Sequence, residues 1–114
     1  MNDNNPLDDG FIETLRAIGF RPVVIGAPLP LFPLGRVVAT PGALEIPGSV
    51  IHAALDRHHA GDWGDLDPED KAANDADLKH GGRLLSAYKW GAVKFWIITE
   101  ADRSATTVLL PEEY

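Results

Sequence analysis

The sequence contains no cysteine. Disulfides, thiolate metal sites and thiol nucleophiles are therefore excluded, and the absence fits a reducing compartment such as the cytoplasm. Basic residues are scarce: Lys and Arg number 10 against 17 Asp and Glu, a formal net charge of −7. A nonspecific duplex-DNA binder draws its affinity from neutralised phosphates, so this chain can offer a basic face only as a local patch. Duplex DNA is not an expected partner, whereas basic proteins, metal ions or no charged partner at all suit the global charge better. Long uninterrupted apolar runs are also missing. The nearest approach, PVVIGAPLPLFPLG at 22–35, is broken by Pro22, Pro28, Pro30 and Pro33. It cannot form a membrane helix, so no membrane partner is expected. The opening MNDNNPLDDG has neither the basic region nor the apolar core of a signal peptide. No P-loop, dinucleotide fingerprint, Gly-x-Ser-x-Gly elbow or zinc motif occurs, which disfavours nucleotide-driven and serine-hydrolase chemistry; no cofactor is expected.

What is present suffices for one folded domain. The 114 residues are 45% hydrophobic, with three Trp, two Tyr and four Phe, enough to bury a real core. Residues 1–7 read as a disordered tail and 8–114 as a single domain, with a helix and proline-rich arm at 8–34 and a core at 35–114. The first helix is expected from Asp8 or Asp9 to Ile18, with Phe11, Ile12, Leu15 and Ile18 on one face and Gly19 as its stop. The prolines of 21–35 fix φ and withhold hydrogen-bond donors, so that stretch is extended and only 23–25 can pair as an edge strand. It lies over the core or is shared between two copies, a possible homodimer contact through residues 21–35.

GRVVAT at 35–40 reads as a strand, closed by a turn at Pro41-Gly42. Ser49 can cap a second helix, with Val50, Ile51, Ala54, Leu55 and His58 on one side and Gly61 as its end. Asp67-Pro68-Glu69-Asp70 is the strongest helix start in the chain: an N-cap Asp, Pro at the first helical position, and acids in the first turn. That helix runs to His80 before Gly81-Gly82 and, with little apolar content, lies on the surface. RLLSAYKW, AVKFWIITE and SATTVLL are β-branched and aromatic runs separated by turns too short for parallel crossovers. In the middle run Val93, Phe95, Ile97 and Thr99 share one face, as expected of a central strand packed by helices on one side. The expected fold class is α+β, two to three helices followed by a three- to four-stranded antiparallel sheet, in a single domain.

The stretch RHHAGDWGDLDPED at 57–70 has the composition of a site. Its spacing argues otherwise. His52 to His58 or His59 does not give a one-face pair of ligands, and Gly61 interrupts the helix between His58 and Asp62. Asp62, Asp65 and Asp67 lack the glycine and the bidentate Glu of a calcium loop. Capping accounts for most of it: His58 and His59 suit a helix C-terminus, Asp67 caps the next helix, and Trp63 anchors the loop between them. Metal binding at His58, His59 and Asp62 remains an alternative, and no metal is the expectation.

Two further constellations stand out. From Asp62 to Asp77 the acids Asp62, Asp65, Asp67, Glu69, Asp70, Asp75 and Asp77 meet a single base, Lys71. Such a run is ordinarily a solvated helix face; its functional reading is mimicry of a phosphate backbone towards a basic protein groove. In the C-terminal third, His80, Arg83, Tyr88, Glu100, Arg103, Thr106 and Thr107 include the acid, base and cations a small ribonuclease needs. The layout of 68–110, a helix before a meander, resembles in outline the barnase-like and RelE-like ribonuclease toxins. The plain alternative is that Glu100 and Arg103 pair across a tight turn while the threonines serve as strand formers.

Taken together, LFPLGRVVATPGALE, HHAGDWGDLDPED, GGRLLSAY and WIITEADRSATTVLLPEEY resemble a family of small proteins carried on bacterial plasmids and integrative elements, some bearing a restriction–modification label. The resemblance spans 31–114 and implies a context, not a reaction, since the family has no established activity. Proteins of mobile elements act against host defence, regulate maintenance or poison competitors. The leading expectation is a small acidic cytoplasmic accessory protein that works by protein binding, such as an anti-restriction or anti-CRISPR inhibitor. Its contact residues are Trp63, Asp65, Asp67, Asp70 and Asp75. The alternative is a ribonuclease toxin acting on RNA, with His80 or Glu100 as base and Arg83 and Arg103 on phosphate.

Overall fold

A computed structural model describes residues 30–114. The expected first helix and residues 21–29 of the proline-rich arm lie outside the described residues. The rest builds a four-stranded sheet in the order β1-β4-β3-β2, with β1 at Arg36–Ala39, β2 at Leu84–Trp90, β3 at Val93–Thr99 and β4 at Ala105–Leu109. Two helices, α1 at Gly48–His59 and α2 at Pro68–His80, lie between β1 and β2 in the chain. The fold is α+β.

The sheet departs from the expected antiparallel arrangement. β2, β3 and β4 form the antiparallel meander, but β1 pairs parallel to β4, Val37 beside Thr106 and Ala39 beside Val108. The helices also follow the first strand instead of preceding the whole sheet. Turn length dictates direction only between consecutive strands. β1 is separated from β4 by both helices and a hairpin, so no local turn constrains its sense. Gly35, in the left-handed region at φ 65, admits the close approach: a Cβ there would run into the carbonyls of Arg103 and Ser104.

α1 starts two residues earlier than expected. Pro47 takes the N-cap with no side-chain cap, and its carbonyl accepts from Val50 and Ile51 at 3.0 and 3.2 Å. Ser49 is thus already inside the first turn and does not cap. α2 begins as its sequence dictates: Asp67 accepts the Asp70 amide at 2.8 Å and Pro68 occupies the first turn. It ends at Gly81, left-handed at φ 86.

α1 covers one face of the sheet. Ala43, Ile46, Ala54, Tyr88, Phe95, Ile97 and Val108 form the main core, with Val50, Ile51 and Leu55 packed against it. Phe95 and Ile97 are essentially inaccessible, each worth about 1.5–3 kcal/mol in removed apolar surface. A second cluster of Phe32, Trp63 and Leu84, backed by Leu34, Leu66 and Leu78, continues the core under the interhelical loop. The described end of the proline arm therefore docks in cis, and the Leu31 amide donates to the His59 carbonyl at 2.9 Å.

α2 is nearly all exposed, as its small apolar content predicts, but its one buried residue is Asn74. Asn74 donates to the Leu85 carbonyl at 2.6 Å and accepts the Leu85 amide at 3.2 Å. A side-chain amide thus takes the place of a fifth strand at the outer edge of β2, and the loop completes the cover: Gly64 bridges Ala87, with Ala87 donating to Trp63 and Asp65 donating to Ala87. Replacing Asn74 by Ala leaves both Leu85 groups without their partner. The expected loss is about 1–3 kcal/mol, with faster hydrogen exchange at the Leu85 amide. Unchanged exchange there would show that the amide does not hold the edge.

Candidate functional site

The interhelical loop and α2 carry the acidic run. Its carboxylates divide by what they touch. Asp62 accepts from Arg57 at 2.7 Å and from the Gly64 amide at 3.3 Å, and Arg57 holds its carboxyl below the usual range. Asp67 caps α2, and Asp75 accepts the Trp63 indole N–H at 2.9 Å. Asp65, Glu69 and Asp70 are exposed and make no side-chain hydrogen bond among the described residues. Trp63, expected as an anchor of the contact, is 3% exposed and spends its only donor on Asp75. It belongs to the frame, and any contact surface consists of the carboxylates around it.

That frame is stiff. Tyr88 donates to the Asp62 carbonyl at 2.5 Å, and burial pushes its phenol up to about 12, so it stays a donor at any ordinary pH. The Arg57 guanidinium stands 4.7 Å from the Tyr88 ring centre and also grips Asp62. Trp63 stacks on Phe32 with centroids 6.2 Å apart. Asp65, Glu69 and Asp70 are therefore presented from a backbone locked on both sides.

Sequence reasoning missed the environment of His58. His58, read as a helix-end cation, is wholly buried between Phe32 and Trp63. Its Nδ1 lies 2.6 Å from Ser86 Oγ and its Nε2 2.9 Å from Thr99 Oγ1; Thr99 in turn lies 2.7 Å from Thr106, which donates to the Leu34 carbonyl at 2.7 Å. Donor counting orients the chain. Thr106 gives its one proton to Leu34, so it accepts from Thr99; Thr99 then accepts from His58, which carries its proton on Nε2. Ser86 is left to donate to Nδ1. Burial first, then the charges of His59 and Arg103, lower His58 to about 4, so it is neutral at pH 7 and adds no charge at the end of α1.

A serine hydroxyl on an imidazole is also the geometry of an activated nucleophile. Here Ser86, Thr99 and Thr106 are as inaccessible as His58, so the chain is structural and no substrate reaches it. The signal was present: His58 stands one turn after Ala54 on the apolar face of α1, and Ser86, Thr99 and Thr106 fall on inward positions of their strands. With both His58 nitrogens engaged, the His58–His59–Asp62 metal alternative loses its central ligand. Among the described residues no group of His, Asp and Glu is arranged to hold a metal ion.

The residues of the ribonuclease reading lie on neighbouring segments, His80 at the end of α2, Arg83 before β2, and Glu100 and Arg103 at the β3–β4 turn, but among the described residues no hydrogen bond joins their side chains. Arg103 has a left-handed backbone at φ 62. Its guanidinium donates to the carbonyls of Gly82 at 2.6 Å, Glu100 at 3.1 Å and Asp77 at 3.1 Å. It therefore serves as a cationic cap on the α2 C-terminus, and it meets the backbone of Glu100, not the carboxylate that was expected to pair with it. Arg83 lies over the Tyr114 ring at 5.1 Å, while His80 and Glu100 are exposed. Of the two cations assigned to phosphate, Arg103 is thus spent on carbonyls, whereas Arg83 is exposed and rests on an aromatic ring.

Comparison with protein-family models, with curated proteins and with solved structures returns no match for this chain.

Proposed function

We propose that the protein is a small cytoplasmic accessory protein of a mobile genetic element that binds a basic protein groove, as an inhibitor of a host restriction or CRISPR nuclease. The observation that carries this reading is the presentation of Asp65, Glu69 and Asp70. They are exposed, free of internal side-chain partners among the described residues, and mounted on a loop and helix clamped by Asn74, Trp63 and Tyr88. Preorganised like charges waste little free energy on ordering when they meet a complementary surface. They also steer the encounter, since interactions of this kind act over about 8 Å at physiological salt. The resemblance to proteins of plasmids and integrative elements supports the context. No helix among the described residues is long and apolar enough to cross a membrane.

The test is inhibition of DNA cleavage by purified restriction and CRISPR nucleases. The wild-type chain is expected to inhibit a member of one class with a potency that falls as salt rises. Glu69→Lys with Asp70→Lys is expected to weaken that inhibition at least about thirtyfold, each reversed charge costing about 1 kcal/mol or more. The melting temperature must be checked, because both acids also favour the first turn of α2. Inhibition that survives the double reversal, or none by the wild type towards either class, ends the proposal.

A further inference from the structure

The face of the sheet turned away from α1 has the opposite character to the acidic ridge. Strand alternation places Ala87 and Lys89 of β2 and Lys94 and Trp96 of β3 on it, with Lys89 directly opposite Lys94 and Ala87 opposite Trp96. Like charges facing each other across an antiparallel pair are destabilising. Among the described residues neither lysine forms an ion pair; the one salt bridge there joins Arg57 to Asp62. In a chain of net charge −7, two adjacent cations with no carboxylate partner among the described residues form a local basic patch suited to an anionic ligand.

These lysines line a groove of about 440 Å³, floored by Ala87 and Trp96 and bordered by Asp65, Leu66 and Pro111. The aromatic surface continues beyond it. Tyr114 meets Trp96 edge-on with centroids 5.7 Å apart, and Arg83 covers Tyr114 at 5.1 Å. The result is a strip running from paired lysines through two aromatic rings to an arginine.

We propose that this strip binds a short segment of single-stranded nucleic acid, bases against Trp96 and Tyr114 and phosphates on Lys89, Lys94 and Arg83. Bases stack on any exposed aromatic ring, and cations beside the rings take the backbone, so the combination recognises an unpaired strand with little regard to sequence. A sheet face that stacks bases is a common way of holding single strands. The groove has the volume of a small-ligand site, room for one or two nucleotides at its centre. A duplex is disfavoured because its bases are stacked inside and its phosphate density faces the acids of α2. Asp65, the one carboxylate at the rim among the described residues, can accept from an exocyclic amine or a sugar hydroxyl. Asp65 borders both this groove and the proposed nuclease contact, but Glu69 and Asp70 belong only to the contact and Lys89 and Lys94 only to the groove, so the two double variants test the two sites separately.

The experiment is fluorescence anisotropy of labelled eight-nucleotide oligo-U and oligo-dT with the full chain, alongside a blunt duplex and uridine monophosphate, over a range of salt. Both single strands are expected to bind more tightly than the duplex and the mononucleotide. The affinity should fall with salt with a log–log slope of about −1.4 to −2, the value for two to three phosphates on a single strand. Lys89→Glu with Lys94→Glu should weaken binding at least about tenfold and flatten the slope. Trp96→Leu should weaken it with the slope unchanged, and the melting temperature of the lysine variant should not fall. No binding of either strand at low salt, equal binding of duplex, or affinity that survives the lysine reversal would overturn the proposal. A mononucleotide that binds as well as the oligomers would overturn it too, showing a free-nucleotide pocket instead of a strand site.

Discussion

As the pH falls from 6.5 to 4, the protein is expected to lose about 3 kcal/mol of stability through His58 alone. The unfolded imidazole takes a proton near 6.5, whereas the folded one resists it down to about 4. Between those values the unfolded state binds more protons, so acid favours unfolding. The contribution is whole above 6.5, falls steadily through the window and is fully lost below about 4. Burial is the main cause of the resistance, and the charges of His59 and Arg103 add to it; the donor chain suits a neutral ring, since Ser86 uses its only hydrogen to donate to Nδ1.

Denaturant melts at a series of pH values test this directly. His58→Leu is expected to cost about 3 kcal/mol at pH 7, by stranding the hydroxyls of Ser86 and Thr99, and to remove the loss between 6.5 and 4. Asp62 and Asp102, whose carboxyls are held below their usual range, lose their contributions only at still lower pH. Parallel loss in both proteins across the window would mean that His58 is not the titrating group. Should the Leu variant fail to fold, an NMR titration of the wild-type imidazole gives the same answer: protonation near 6.5 would refute it.

A Gly64→Ala substitution is expected to be the most damaging single methyl in the described chain, at about 3 kcal/mol or more. Gly64 is left-handed at φ 76, which alone costs another residue on the order of 1 kcal/mol. In addition, its Cβ would collide with the Ala87 carbonyl and the Tyr88 ring. Neither can retreat, since the Ala87 carbonyl accepts from Asp65 at 2.7 Å and Tyr88 is packed on Phe95. Gly81→Ala is the control. It has the same hand at φ 86 but nothing within contact distance of the new methyl, so only the conformational part should appear. The two melting curves should differ by at least about 2 kcal/mol; equal losses would show that the loop does not press against β2 as described.

Much of the fold was legible before any coordinates. Asp67-Pro68 and Gly81 bound α2 because capping is a matter of a few consecutive residues. The meander was legible because its turns are too short for anything but antiparallel pairing. Trp63 could be read as a loop anchor, but not the acceptor for its indole, which lies on the next helix. The candidate site was legible as an acidic run, yet which acids are free depends on Arg57, Trp63 and the amides that engage the others. Arg103 was legible as a functional cation or a partner of Glu100, but its capping role was not: its partners Asp77 and Gly82 come from an element that only the folded chain brings beside the β3–β4 turn.

The sequence by itself thus determined the extents of α2 and the three C-terminal strands, the charge balance and the absence of thiol chemistry, since each follows from composition or from neighbours along the chain. Only the tertiary structure decided the parallel sense of β1, the burial and tautomer of His58, the division of the acids into framing and free groups, and the pairing of Lys89 with Lys94 beside Trp96. Those depend on residues distant in sequence meeting at hydrogen-bond or van der Waals range, a condition that no local pattern encodes.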